Sequence, residues 1–93
     1  MDWKIRDGCH KEAVNKFLST GAPMPENCEL VGRYHAPGSG NGWLIGKTDD
    51  PKTIYEHASE WNHLLVWNTT PVLTDEEAGM VSNKVWNKKE EGN

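Results

Sequence analysis

The chain has 93 residues and a formal net charge of −4, so it has room for a single domain over residues 1–93. Its ten basic residues are scattered along the chain, which argues against nucleic acid as a partner. Residues 1–10 are too polar for a signal peptide, and no apolar run approaches the length of a membrane span. We therefore expect a cytoplasmic protein with no membrane partner, and reduced thiols at Cys9 and Cys28.

The first half of the chain predicts a strand, a helix and a hairpin. Asp2–Arg6 alternates between apolar and polar residues, as a half-buried strand does. Over residues 10–20 the apolar residues recur at helical spacing, and Gly21 ends that helix. Two further strand-like runs, Glu29–His35 and Trp43–Lys47, flank a loop of Gly, Pro, Ser and Asn, which indicates a hairpin.

The second half predicts a helix, a strand and a third helix. Asp50 is a helix cap with Pro51 at the first helical position, where a missing N–H costs nothing. Leu64–Thr69 is typical of a central strand, and residues 74–77 have the capping-box pattern of a new helix. The apolar stripe of this third helix is weak, so we expect it to need support from a partner chain. Residues 87–93 are expected to form a frayed tail.

The order strand, helix, strand, strand, helix, strand predicts an α+β fold. We expect a ferredoxin-like βαββαβ antiparallel sheet in the order 4-1-3-2, with both helices on one face and a C-terminal helix after it. The opposite face would expose tryptophan, so a second copy is expected to cover it in a homodimer. The core between helices and sheet is predicted to contain Phe17, Leu18, Ile54 and Ala58.

Several segments resemble a domain family of unknown function whose members are short bacterial and cyanophage proteins. They are Gly32–His35, the glycine-rich loop after it, Lys47–Asp50, Trp61-Asn62 and Thr70–Ala78. The resemblance covers residues 3 to about 78. It implies a ferredoxin-like fold of the dimeric α/β-barrel type, and the host cytoplasm as the location of a phage-encoded member. It implies no activity.

Arg33 and His35 are the candidate ligand residues, because they lie two apart on a strand and therefore point to one face. If the turn sets Tyr34 opposite Leu44, that face is the one without helices. Such a face is suited to a small anionic or aromatic ligand, or else to an interfacial salt bridge with a hydrogen-bonded histidine. We favour the second interpretation. The candidate ligand or interface face consists of Arg33, His35, Trp43 and Trp67.

No catalytic, metal-binding or cofactor-binding motif is recognisable. His57 and His63 are six residues apart, so one helical face does not present both, and no Cys or His pair has zinc-site spacing. The glycine-rich loop is followed by a strand and has no Walker lysine, so it fits a hairpin turn rather than a phosphate cradle. We therefore predict no catalytic residue, no metal ligand and no cofactor.

Two functional classes remain. The first is a non-enzymatic homodimer that binds a small molecule or a protein partner, and we favour it. The second is a small cofactor-free enzyme, similar to a monooxygenase or an isomerase, with its site between the sheet and the partner chain. This second class rests on fold analogy alone.

Overall fold

The protein is a four-stranded antiparallel sheet with two helices on one face and a third helix beyond its last strand. The computed structural model describes the backbone of residues 1–91 and the side chains of residues 1–87. The elements are β1 (Asp2–Ile5), α1 (His10–Thr20), β2 (Glu29–His35), β3 (Asn41–Lys47), α2 (Pro51–Trp61), β4 (Leu65–Asn68) and α3 (Asp75–Glu91).

The strands lie in the order β2-β3-β1-β4, and each neighbouring pair is antiparallel. The last strand pairs with the first, with Trp3 opposite Trp67, and not with the hairpin. This pairing was predicted from the order of the elements. Because β1 lies between β3 and β4, its side chains occupy the centre of the sheet.

Helices α2 and α3 begin at the capping residues that the sequence predicted. The Asp50 side chain accepts a hydrogen bond from the backbone N–H of Lys52 at 3.0 Å, and Pro51 opens α2. Thr74 and Glu77 form the reciprocal capping box before α3, at 3.0 and 3.1 Å. The Glu77 carboxylate accepts from the backbone N–H of Thr74, and this hydrogen bond is the main cause that lowers the pKa of the Glu77 carboxyl.

The hairpin register differs by one residue from the predicted one. Tyr34 lies opposite Trp43, and Arg33 lies opposite Leu44. The difference arises because β3 begins at Asn41, which was expected in the loop. A bulge between Leu30 and Gly32 shifts the pairs further from the turn by one more residue. Side chains alternate along a strand, so a slip of one residue exchanges the two faces.

The predicted common face of Arg33, His35 and Trp43 is therefore wrong. Arg33 lies opposite the buried Leu44, and both Arg33 and His35 face the helices. Trp43 faces the other way. Trp67 pairs with Trp3, which is also buried on the helix side, so Trp67 lies on the helix-covered face as well.

The core lies between the sheet and the first two helices. Phe17 packs against it and is half-buried, and Ile54 and Ala58 are also half-buried. The prediction that Leu18 is a core residue is wrong, since 74% of it is exposed. One residue further around α1 than Phe17, Leu18 turns away from the sheet. The buried core residues are Trp3, Ala13, Ala22, Leu44, Trp61, Leu64 and Leu65.

Two apolar surfaces remain exposed. The sheet face opposite α1 and α2, here called the open face, presents Tyr34, Trp43, Ile45 and Val66, each about half exposed. Helix α3 also exposes a set of apolar side chains along its length, which are Met80, Val81, Val85 and Trp86. The expected frayed tail at 87–93 stays a prediction, because its side chains after Asn87 lie outside the described residues.

Candidate functional site

A cavity of about 370 Å³ lies between the sheet and helices α1 and α2. The exposed side chains of Val14 and Leu18 also line it, so it opens to the surface along α1. Its walls are mostly apolar, with both aromatic and aliphatic side chains, and its charged or titratable groups are one arginine and two histidines. The residues that define its chemistry are Trp3, Phe17, Arg33, His35, His57 and Trp67.

Gly42 makes room for one wall of this cavity. It lies on β3, opposite Trp3 of β1 on one side and opposite His35 of β2 on the other. The indole ring of Trp3 lies over Gly42, where a Cβ atom would overlap its six-membered ring. This position lets the indole meet the His35 ring edge-on, with 5.3 Å between ring centroids. Because Gly42 has no side chain, Trp3 of β1 is able to contact His35 of β2 across β3.

Arg33 brings a cation to the cavity. One of its nitrogens, Nη2, donates to the carbonyl of Ala22 at 2.7 Å and lies 3.8 Å from the sulfur of Met24. Its guanidinium carbon lies 5.9 Å from the ring centroid of Phe17. Within the described part of the chain, no carboxylate forms an ion pair with it. Partial burial lowers its pKa, although a guanidinium keeps its charge in proteins.

His57 is the most buried polar residue of the cavity wall, with 2% of its surface exposed. Its ring lies 5.8 Å from that of Trp67, measured between centroids. Burial lowers the pKa of His57, and the positive charges of Arg33 and Lys16 lower it further. The imidazole is therefore neutral at neutral pH.

Two buried polar atoms of the cavity wall have no hydrogen-bond partner among the described residues. They are Nδ1 of His57 and Nε1 of Trp67. Buried side-chain N and O atoms are nearly always hydrogen-bonded, because leaving one unpaired costs about 1–3 kcal/mol. Both atoms belong to residues that line this cavity.

The structure brings together three of the four predicted site residues and separates the fourth. Arg33, His35 and Trp67 line the cavity, whereas Trp43 is 52% exposed on the open face. Sequence reasoning missed His57. Thr53, His57 and Trp61 recur every four residues and form the buried stripe of α2, but this spacing alone does not distinguish it from the neighbouring stripe of Ile54 and Ala58.

Other classes of site find no support in the part of the chain that the structure describes. No group of three or more His, Cys, Asp or Glu side chains is placed to hold a metal ion. Among the described helices, none is long and apolar enough to cross a membrane. Cys9 and Cys28 are both free thiols.

Fold and cavity together define a small α+β domain with an aromatic cavity that contains an unpaired arginine. The chain belongs to the domain of unknown function DUF3303, whose family model matches residues 1–85. This confirms the resemblance to a domain family of unknown function. No curated protein and no solved structure shows a significant match to the chain.

Proposed function

We propose that the protein is a non-enzymatic binding domain that holds a small molecule in the cavity between sheet and helices. The observation that carries this proposal is the cavity itself, whose apolar walls carry one arginine and two histidines. A volume of about 370 Å³ falls in the range of ligand pockets, which runs from about 300 to 1,000 Å³. Such a pocket is mostly apolar with a few placed polar groups, as this one is.

We further propose that the protein is a homodimer with a ferredoxin-like fold of the dimeric α/β-barrel type. The open face supports this, because it exposes Tyr34, Trp43, Ile45 and Val66. The exposed apolar side chains of α3 are a second surface that a partner chain would cover. A second copy supplies a matching sheet face and a second α3. The alternative is that a different protein, rather than a second copy of this chain, covers these surfaces.

A cofactor-free enzyme is the alternative function. Its support is His57, since a neutral imidazole beside an arginine is able to accept a proton from a bound molecule. The cavity lies on the helix side of the sheet, whereas the sequence-based alternative placed the site between sheet and partner chain. We place the protein in the cytoplasm, and its two free cysteines agree with a reducing compartment.

A ligand screen by thermal unfolding of the full chain tests the binding function, because a molecule that binds only the folded state raises the unfolding midpoint. The screen is run on the wild type, on Val14→Trp and on Asn15→Trp. Val14 lies at the mouth of the cavity, so its replacement by tryptophan should abolish the shift of any hit. Asn15 is the next residue on α1, is exposed and does not line the cavity, so its replacement should keep the shift.

The screen also has clear negative outcomes. A chemically diverse set of small molecules that produces no shift contradicts the binding function. A hit that Val14→Trp and Asn15→Trp bind equally well binds elsewhere on the molecule. Consumption of a hit by the wild type, with loss of turnover in His57→Gln, favours the enzymatic alternative.

A further inference from the structure

We propose that the cavity selects planar, apolar molecules bearing one oxyanion, such as an aromatic carboxylate, with Arg33 as the countercharge. This inference rests on the proposed binding function and specifies the class of ligand. It follows from three independent features of the cavity, which are its charge, its hydrogen-bonding groups and its walls.

The charge of the cavity is positive and uncompensated. Arg33 is the only Arg, Lys, Asp or Glu side chain among the described residues that line it. Its described hydrogen bonds use a single nitrogen, and they go to a carbonyl oxygen and a thioether, which carry no formal charge. A partly buried cation without a counter-ion favours an anion at its free edge, and a guanidinium matches the two oxygens of a carboxylate. Lys16 adds positive potential at His57 from outside the cavity.

The polar groups of the cavity are rich in donors. The Trp67 indole nitrogen donates only, and it has no acceptor among the described residues. Arg33 also donates only. Carboxylate oxygens accept and do not donate, so an oxyanion complements the free donors of Arg33. A neutral amide or an alcohol would bring donors of its own, for which the cavity offers few acceptors.

The walls suit a flat apolar body. The ring of His35 is held edge-on between Trp3 and Phe17, with 5.3 Å between ring centroids in each pair. Trp67 stands edge-on to Trp3 at 6.0 Å. An apolar cavity of about 150 Å³ accepts benzene, so about 370 Å³ leaves room for two fused rings with a carboxylate.

Calorimetric titration of the full chain with 2-naphthoate and 2-naphthamide tests the inference, because the two probes share their rings and differ in charge. We expect the wild type to bind the acid at least tenfold more tightly than the amide. In Arg33→Met this preference should fall to about threefold or less. Arg33→Lys, which keeps the charge, should retain a preference for the acid. The control is Arg6→Met, because Arg6 also donates to a backbone carbonyl, that of Asn62 at 2.8 Å, but does not line the cavity.

Each outcome bears on a separate proposal. Equal binding of the acid and the amide by the wild type overturns the oxyanion inference and leaves the binding function intact. A preference that survives in a folded Arg33→Met places the countercharge elsewhere and also overturns it. Loss of the preference in Arg6→Met as well would show a general effect of net charge. If neither probe binds at millimolar concentration, the ligand class is wrong, and the broader screen decides the binding function.

Discussion

Replacing Gly42 by alanine tests how the cavity is built, because one added methyl group should disturb both the core and the site. The new Cβ would overlap the six-membered ring of Trp3 and lie 2.5 Å from the carbonyl oxygen of Tyr34. The indole has little freedom to retreat, since Trp3 is buried in the core. The carbonyl belongs to a paired strand and is also fixed.

The expected cost follows from these contacts. Inserting a methyl group into a packed core costs about 1–3 kcal/mol. Displacing the Trp3 ring would also weaken its edge-on contacts with His35 and Trp67, each worth about 0.5–1.5 kcal/mol. We therefore expect Gly42→Ala to lower the free energy of unfolding by about 2–4 kcal/mol. Urea unfolding followed by far-UV circular dichroism measures this difference.

Gly79→Ala is the matched control. Gly79 lies inside α3, and a Cβ placed there has no neighbour within 4 Å. Alanine is favoured over glycine in a helix by about 1 kcal/mol, so this variant should be neutral or stabilised. If Gly42→Ala unfolds within about 0.5 kcal/mol of the wild type, which is the scatter of ordinary surface substitutions, the assigned position of the Trp3 ring is wrong.

Four further outcomes are expected. Light scattering at micromolar protein should give about twice the chain mass of 10.5 kDa, and a monomeric wild type contradicts the dimer. Trp43→Glu on the open face should give a monomer, whereas the control Tyr55→Glu on α2 should remain a dimer. Because the pKa of His57 is lowered in the folded state, the unfolded chain takes up the proton more readily, so the free energy of unfolding should fall as the pH drops below the ordinary histidine value of about 6.5. His57→Gln should flatten this pH dependence and His63→Gln should not, and equal slopes would exclude His57 as its source. Asp50→Ala should cost about 1 kcal/mol in urea melts through loss of the α2 cap, and a similar loss in Asp49→Ala would refute the capping role. Thiol titration of the unfolded, unreduced protein should find both cysteines free, and finding none in a monomer would show a disulfide.

Features that depend on neighbouring residues were predictable from the sequence. The Asp50 cap and the Thr74–Glu77 capping box need only residues within one turn of each other, and the structure contains both. Gly21 ends α1 in the left-handed conformation, with φ at 72°. Pairing of the last strand with the first followed from the order of the elements and the handedness of crossovers.

The hairpin register was not predictable, because it depends on where β3 begins. The start of β3 at Asn41 has no distinctive local signal. The error at the turn was only one residue, yet it placed Arg33 and His35 on the wrong face of the sheet. Trp43 lies on the open face, so the slip separated it from Arg33 and His35, which line the cavity.

His57 was missed for a different reason. Apolar periodicity assigns polar residues to the outside of a helix, and α2 carries two adjacent stripes, one that includes Ile54 and Ala58 and one that includes His57 and Trp61. The sheet buries the second stripe more deeply. Tyr55, the residue after Ile54, is 79% exposed. Which stripe faces inward depends on contacts with residues far away in the chain.

The position of the cavity bears on how ligand binding would relate to dimerisation. The residues that line the cavity come from β1, β2, β4, α1 and α2 of one chain, and the open face lies on the other side of the same sheet. Each chain therefore carries a whole site. A dimer in the proposed arrangement would bind two ligand molecules at equivalent sites, and neither site would need a residue of the other chain.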